Sequence, residues 1–139
     1  MKFAALVGLF AVASLLLIQP ACGHDQQLVS ITIVPATETF GAPNIQVLDD
    51  AGLNVQLRAL GSYIHPPVTK DVTNQVTWVS NTPQMVTVNS TGLITATGLS
   101  CGGTIVTATV TTNHSEGNIS CTGAIVTGSM TANVVCPTQ

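Results

Sequence analysis

The sequence is short of charge and of aromatic rings, and these two shortages exclude more functions than any motif suggests. Of 139 residues, 6% are Asp, Glu, Lys or Arg and 4% are Phe, Trp or Tyr. Beyond residue 22 the only basic residues are Arg58 and Lys70. Two cations cannot neutralise a run of phosphates, so nucleic acid is not an expected partner. Nor do they form a basic face that would attract anionic lipid. Six carboxylates (Asp25, Glu38, Asp49, Asp50, Asp71 and Glu116) bring the formal charge past residue 21 to −4.

Those carboxylates are scattered, whereas general acid–base chemistry needs groups that converge. Asp49-Asp50 sits in a turn, where Asp is favoured because its side chain caps local backbone amides. No dense run of oxygen ligands surrounds it to hold calcium. The histidines His24, His65 and His114 lack metal-ligand spacing and fall in the N-terminal tether and two loops. Neither a G-x-S-x-G elbow nor a phosphate-cradling glycine loop is present. The expectation is a non-enzymatic protein with no catalytic residues, metal or cofactor. Sequons at Asn89, Asn113 and Asn118 are expected by chance in a chain so rich in Ser and Thr.

The long apolar run is confined to the start. Met1-Lys2 is a short positive region, and Phe3 to Ile18 is apolar without interruption. This run falls short of the roughly 20 residues a spanning helix needs. Gln19-Pro20 ends it and the small residues Ala21-Cys22-Gly23 follow. Residues 1–21 therefore read as a signal peptide. Two cleavage readings compete. Cutting after Ala21 would leave Cys22 as an acylated N-terminus, although Gln19 stands where lipoproteins usually carry Leu. Cutting after Gly23 would discard Cys22 and free the protein. Lipidation is preferred, because a lone Cys directly after such a run and a small residue is seldom accidental. Membrane contact would then come through the lipid alone. Residues 22–27 form a polar tether of roughly 15–20 Å at full extension.

The rest of the chain reads as one domain, residues 28–136, with a tail at 137–139. Thr occurs 20 times after Cys22 and Val 15 times. β-Branched residues at that density favour strands. Alternation and turn residues place strands at Val29–Val34, Ile45–Leu48, Asn54–Tyr63, Val76–Ser80, Met85–Asn89, Leu93–Thr97, Thr104–Thr112 and Ala124–Val135. Within the first of these, Val29, Ile31 and Ile33 alternate with Ser30 and Thr32. His65-Pro66-Pro67 breaks the chain into a loop. No segment past residue 27 shows apolar residues at helical spacing, so no helix is expected. The SCGGTIVT and SCTGAIVT stretches at 100–107 and 120–127 are too few copies for a repeat architecture. The fold class is an all-β sandwich. Trp78, Val76, Tyr63 and Leu57 are the candidate core, with Trp78 as the bulky residue that spans two sheets.

Whichever cleavage occurs, Cys101, Cys121 and Cys136 remain. An oxidising compartment favours a bridge. If the last two long strands form a hairpin, Cys101 and Cys136 lie at its open end. Cys121 then lies on the order of 25–30 Å away, far beyond bridging distance. Cys101–Cys136 is therefore the favoured disulfide, and Cys121 the candidate unpaired thiol, free or bridged to another molecule. One objection concerns parity: inward residues of the last strand are even-numbered, like Cys136, while Cys101 is odd. A bulge at Gly102-Gly103 would repair it.

The segment from Lys70 to Ser80, with Asp71-Val72-Thr73, Val76-Thr77-Trp78 and Ser80 after Tyr63, resembles a bacterial immunoglobulin-like domain of group 2. Val86-Thr87-Val88, Thr91-Gly92-Leu93-Ile94-Thr95-Ala96, Gly103 to Ala108 and Thr131 to Val134 resemble its later motifs in order. The likeness spans about Val29 to Val135. It departs at the Cys-Gly-Gly insertion, 101–103, and at the long stretch Asn113 to Thr122. It implies an immunoglobulin-like sandwich of about seven or eight strands, used as a spacer or binding unit at the bacterial surface. The function expected is a non-catalytic exported module of the periplasm or cell surface, acting in protein–protein or adhesive contact or as a structural component. The loops His65–Lys70 and Asn113–Thr122 are its candidate binding face. The alternative is a carbohydrate-binding module for an envelope polysaccharide. That would need an exposed aromatic, and of Phe40, Tyr63 and Trp78 two read as buried.

Overall fold

The computed structural model describes residues 26–41, 52–112, 114–116, 119–121 and 123–136, with side chains omitted at 114–116 and 119–121. The segment read as a signal peptide, Cys22, most of the expected tether, the strand expected at Ile45–Leu48, the turn expected at Asp49-Asp50 and the tail lie outside the described residues. Among the described residues there are strands and no helix. They run β1 (Gln27–Val34), β2 (Thr37–Phe40), β3 (Asn54–Gln56), β4 (Arg58–Ile64), β5 (Val68–Asp71), β6 (Thr77–Ser80), β7 (Val86–Val88), β8 (Leu93–Ala96), β9 (Gly102–Thr111), β10 (His114–Glu116), β11 (Ile119–Cys121) and β12 (Ile125–Val134).

Two layers face each other. One is the sheet β2-β12-β9-β6. The other is a composite built on the nearly continuous pair β3 and β4. β1 and β5 flank β4, while β8 and then β7 follow from β3. The break falls at Leu57, whose amide donates to the Gly92 carbonyl at 2.9 Å. Two residues on, the Ala59 carbonyl accepts from the Val72 amide at 2.8 Å. Positions two apart on a strand point their hydrogen-bonding groups the same way. One edge is thus handed from β8 to β5, and the single strand expected over Asn54–Tyr63 divides in two. The N-terminal strand serves both layers. β1 pairs antiparallel with β4, then Pro35-Ala36 carries the chain across, and β2 runs parallel to β12. This sheet-switching first strand and the strand order define an immunoglobulin-like sandwich.

The core is one cluster between the layers. Leu57, Val86, Ile94 and Val106 are its most enclosed large side chains. Along β12 the even-numbered residues Gly128, Met130, Ala132 and Val134 point inward, as do Thr104, Val106 and Ala108 of β9. The alternation expected for β1 needs a correction. A bulge between Leu28 and Ser30 shifts the register, so Leu28 turns inward and Val29 outward. An extra residue on one strand resets the parity of all that follows.

Three further elements differ from expectation. Thr37–Phe40 is a strand, recruited by pairing with β12 rather than by any alternation of its own. Val68–Asp71 is also a strand, paired with β4 from Tyr63↔Val68 to Leu60↔Asp71. The prolines confine the turn to His65–Pro67, so half of the expected His65–Lys70 loop is sheet edge. In the Asn113–Thr122 stretch, the backbones of β10 and β11 pair as a separate hairpin.

Gly128 marks the closest approach of the two layers at this edge. A Cβ there would lie 2.6 Å from the Ile31 carbonyl oxygen and 2.8 Å from its Cγ2. The obstacle is backbone of β1, itself held by β4, so it cannot swing away. Gly128→Ala is expected to destabilise the protein by about 2–3 kcal/mol. Gly103→Ala, where only the flexible Asn133 amide comes near, at 3.2 Å, is expected to stay within about 0.5 kcal/mol of wild type. Urea midpoints of the two variants check this; equal midpoints would contradict the close approach.

Candidate functional site

The polar residues with the most chemistry converge beneath Trp78. Asp71 ends β5, and its Oδ1 accepts from the Thr73 amide at 3.0 Å and the Thr73 hydroxyl at 2.5 Å. The same hydroxyl oxygen accepts from the Ala59 amide at 2.9 Å, tying the turn to β4. Trp78, on β6 of the opposite layer, donates its indole Nε1–H to the Thr73 carbonyl at 3.0 Å. Arg58 closes the outside, with Nε and a terminal nitrogen each 3.0 Å from Asp71 Oδ2. The D-V-T and Trp motif is therefore a brace between layers. Each buried polar atom in it has a partner, and an unpaired one would be costly.

The opposite wall of the Trp78 site is the Asn89–Gly92 turn. Asn89 Oδ1 accepts from the amides of Thr91 and Leu93, both at 2.9 Å, and from the Thr91 hydroxyl at 2.8 Å. Gly92 has φ +81°, and a Cβ there would sit 3.0 Å from both the Leu57 carbonyl oxygen and Trp78 Cζ2. Glycine is required by conformation and by space. Of the candidate core residues, Leu57, Val76 and Trp78 are buried, Trp78 at 8% exposure. Tyr63 departs from the core reading. It is half-buried at the edge of the cluster, with the Lys70 ammonium 5.0 Å from its ring centre. Phe40 is buried as well. Phe40 and Trp78 therefore offer no open ring face for stacking on sugar, and the partly buried Tyr63 ring has the Lys70 ammonium over it.

Two depressions open on this region. One, of about 550 Å³, is lined by Gln56, Arg58, Asp71, Asn74, Gln75 and Thr91 among others. Its Arg58 and Asp71 are paired to each other, and Gln56 donates to the Thr91 carbonyl at 2.6 Å. The other, about 240 Å³, lies against Trp78, Val79 and Pro83. Among the described residues no three His, Cys, Asp or Glu side chains come together as a metal site requires.

Cys101 and Cys136 are joined by a disulfide, their Cα atoms 5.1 Å apart. The parity problem is solved without a bulge. The β9–β12 ladder is unbroken from Thr111↔Ile125 to Gly102↔Val134, and Gly102 then takes φ +122°. That conformation, open to glycine, swings Cys101 out of the strand's alternation toward Cys136. Cys121 lies on β11, opposite His114 in the separate hairpin.

The broadest surface feature was not singled out from the sequence. On the sheet β2-β12-β9-β6 the outward positions form cross-strand rows. Thr77, Thr109 and Thr127 make one, and Val79, Thr107 and Ser129 the next. Thr37, Thr131 and Ile105 make a third. Thr109 Oγ1 and Thr127 Oγ1 are 3.1 Å apart. The one charged residue in these four strands, Glu38, occupies an alternate position, opposite Ala132. This face is hydroxyl-rich, interspersed with apolar methyls, and carries no charge. Only knowledge of strand pairing assembles it, which is why alternation alone missed it.

With this geometry in view, the comparison with known families is decisive. The family model for the bacterial Ig-like domain (group 2) matches residues 44–120, more than half of the chain. The chain belongs to that family. The matched span holds the Asp71-Val72-Thr73 brace, Trp78 and the Gly92 turn. β1, β2 and β12 lie outside it, yet they complete the group 2 sandwich on both layers. A search of curated proteins finds no match. As a bacterial Ig-like domain, the chain is of a kind generally found as a structural, non-enzymatic module of extracellular proteins, and its disulfide fits an exported chain.

The brace has a pH signature. Bonds from the Thr73 hydroxyl, the Thr73 amide and Arg58 favour the ionised Asp71 and lower its pKa from 3.8 to about 2. Its folded pKa is depressed, so its contribution to stability is complete above about pH 4 and lost as pH falls toward about 2. Between those limits wild type is expected to lose stability more steeply than Asp71→Asn, as read by urea midpoints; parallel curves would contradict the brace. Thr73→Val, which strands the Ala59 amide, is expected to cost about 1–3 kcal/mol at neutral pH.

Proposed function

We propose that this is a non-catalytic contact module of the bacterial envelope, held at a membrane by a lipid on Cys22. The observation that carries the contact reading is the uncharged outer face of the β2-β12-β9-β6 sheet. Its methyl groups, Val79 and Ile105 among them at 49% and 45% exposure, are apolar surface that a contact would bury. The groups best suited to chemistry, Asp71, Arg58 and Thr73, are engaged in bracing Trp78. Membership of a family of structural modules agrees with this.

Anchoring rests on the sequence Ala21-Cys22 after the apolar run from Phe3 to Ile18. With so few basic residues, electrostatics would add little to membrane binding. A lipid needs no such help to place the domain near the bilayer, although one chain alone holds weakly and stable anchoring takes more. The polar tether to Gln27 then keeps the sandwich close to that surface. Exposed aromatics, which a polysaccharide-binding role would use, are not favoured by the burial of Trp78 and Phe40.

Intact mass and membrane fractionation test the anchor. The native protein is expected to begin at Cys22, to carry added acyl mass and to pellet with membranes. Cys22→Ser is expected to lose the acyl mass and leave the membrane fraction. If the variant keeps wild type's location, and its mass differs only by the substitution, the anchor is ruled out.

A further inference from the structure

We infer that the open edge of β6 takes up an extended peptide segment of a partner protein as an added strand. The inference deepens the contact-module reading above by giving that module a class of partner. It stands on a different observation, a sheet edge and not a sheet face, and is independent of the lipid.

Backbone bonding divides β6 by parity. In an antiparallel ladder, residues that bond to the neighbouring strand alternate with residues that face away from it. The Asn81 amide donates to the Ile105 carbonyl at 3.0 Å, so Val79 and Thr77 bond to β9 as well, at Thr107 and Thr109. Trp78 and Ser80 therefore direct their backbone groups away from the sheet. None of those groups has a hydrogen-bond partner among the described residues. β7, on the other layer, is divided in the same way. Met85 and Asn89 bond to Thr97 and Leu93, so Val86 and Val88 face outward. The Val86 amide is taken by the Thr82 carbonyl at 3.2 Å. The Val88 amide and both carbonyls have no partner among the described residues.

The two edges line one groove of about 240 Å³, with Trp78, Val79 and Ser80 from β6, Thr87 and Val88 from β7, and Pro83 from the turn. Ser80 brings a further unmet requirement, because its Oγ is buried without a hydrogen-bond partner. Such an atom costs free energy, which an occupant with donors and acceptors relieves. Thr104 Oγ1, the other such hydroxyl among the described residues, points into the core from β9 and lines neither depression.

What this edge offers selects the occupant. Its donors and acceptors recur at strand spacing, ~3.3 Å per residue, and the complement of that row is another extended backbone. The remaining edges of the sandwich are less open. β1 has a bulge between Leu28 and Ser30 and ends at Pro35; β2 carries Glu38; β5 carries Lys70 and Asp71; β3 has only three residues. Bulges, prolines, charges and shortness are the devices that keep foreign strands off an edge. β6, Thr77-Trp78-Val79-Ser80, has neither charge nor proline nor bulge, and the β7 wall of the groove is uncharged too. The peptide that fits is therefore itself uncharged and rich in β-branched residues.

The test is NMR titration of the mature chain, in detergent where it carries lipid, with a capped peptide copying Thr104–Thr111 (TIVTATVT). That segment already runs beside β6 on its inner side. Shifts are expected at the Trp78, Ser80 and Val88 amides, with slower exchange at Ser80. Two further copies of the peptide carry N-methyl groups on alternate amides. Methylating the set that faces β6 is expected to weaken binding roughly ten-fold or more, and methylating the other set to leave it about unchanged. Ser80→Pro removes one edge N–H while Thr77, Val79 and Asn81 stay bonded to β9, and it is expected to weaken binding to a similar degree. Thr39→Lys, on β2 at the far edge of the same sheet, is expected to leave binding unchanged. Circular dichroism confirms that each variant is folded; if Ser80→Pro is not, the two methylated peptides decide on wild type alone. No binding up to the solubility of the peptide, shifts confined to other strands, or equal effects of the two methylated sets overturns the inference. A pull-down on isolated cell envelopes separates it from the contact reading, with Ser129→Lys placed in the middle of β12 on the outer face. Loss with Ser129→Lys but not with Ser80→Pro overturns the edge site and keeps the contact reading. If envelope binding responds to neither variant, both fail.

Discussion

The hydrogen bond from the Trp78 indole to the Thr73 carbonyl is the constraint on which the rest of the sandwich depends. A small β-sandwich must hold two sheets face to face with few large side chains, and this chain has one tryptophan to do it. Burying that ring stabilises the pair of layers, but its N–H must find an acceptor or the gain is largely lost. The acceptor is the backbone of a turn, so the turn has to be held in place. Asp71 holds Thr73 by its amide and hydroxyl, and Thr73 in turn satisfies Ala59 on β4. The indole on one layer is in this way bonded to a turn that is bonded to the other.

Other features are fitted around that ring. Gly92 leaves room for the indole and gives its own carbonyl to the Leu57 amide, at the point where the long strand changes neighbours. Asn89 shapes the turn that delivers Gly92. At the other end, Gly102 and the Cys101–Cys136 disulfide close the β9–β12 pair. At the edge, Gly128 lets β1 lie against β12 before the chain crosses layers. Three glycines therefore act for three different reasons: space for a ring, a positive φ and a backbone approach.

What was legible in the sequence follows from the range of the cause. β9 and β12 were readable because ten-residue alternation is a local property. The family motif placed Asp71, Thr73 and Trp78 in order, though not in contact, because their bonds cross from one layer to the other. β2 was not readable, since it is a strand only by virtue of β12 far along the chain; β5 pairs with its immediate neighbour β4, and the His65-Pro66-Pro67 turn before it led the whole stretch to be read as a loop. The parity of β1 failed at a bulge that leaves no local mark between Leu28 and Ser30. The hydroxyl face failed for a related reason. Thr is common throughout the chain, and only register shows that so many of its copies share one surface while Glu38 does not.

The Trp78 brace belongs to the global fold and does not open on its own. Hydrogen exchange at the Trp78 indole N–H, followed by NMR under native conditions, measures this directly. Exchange is expected only through global unfolding, so that the opening free energy of the indole equals that of the most protected amides of β9 and β12 and falls with them in urea. An indole that exchanges orders of magnitude faster than those amides, with no dependence on urea, would contradict it.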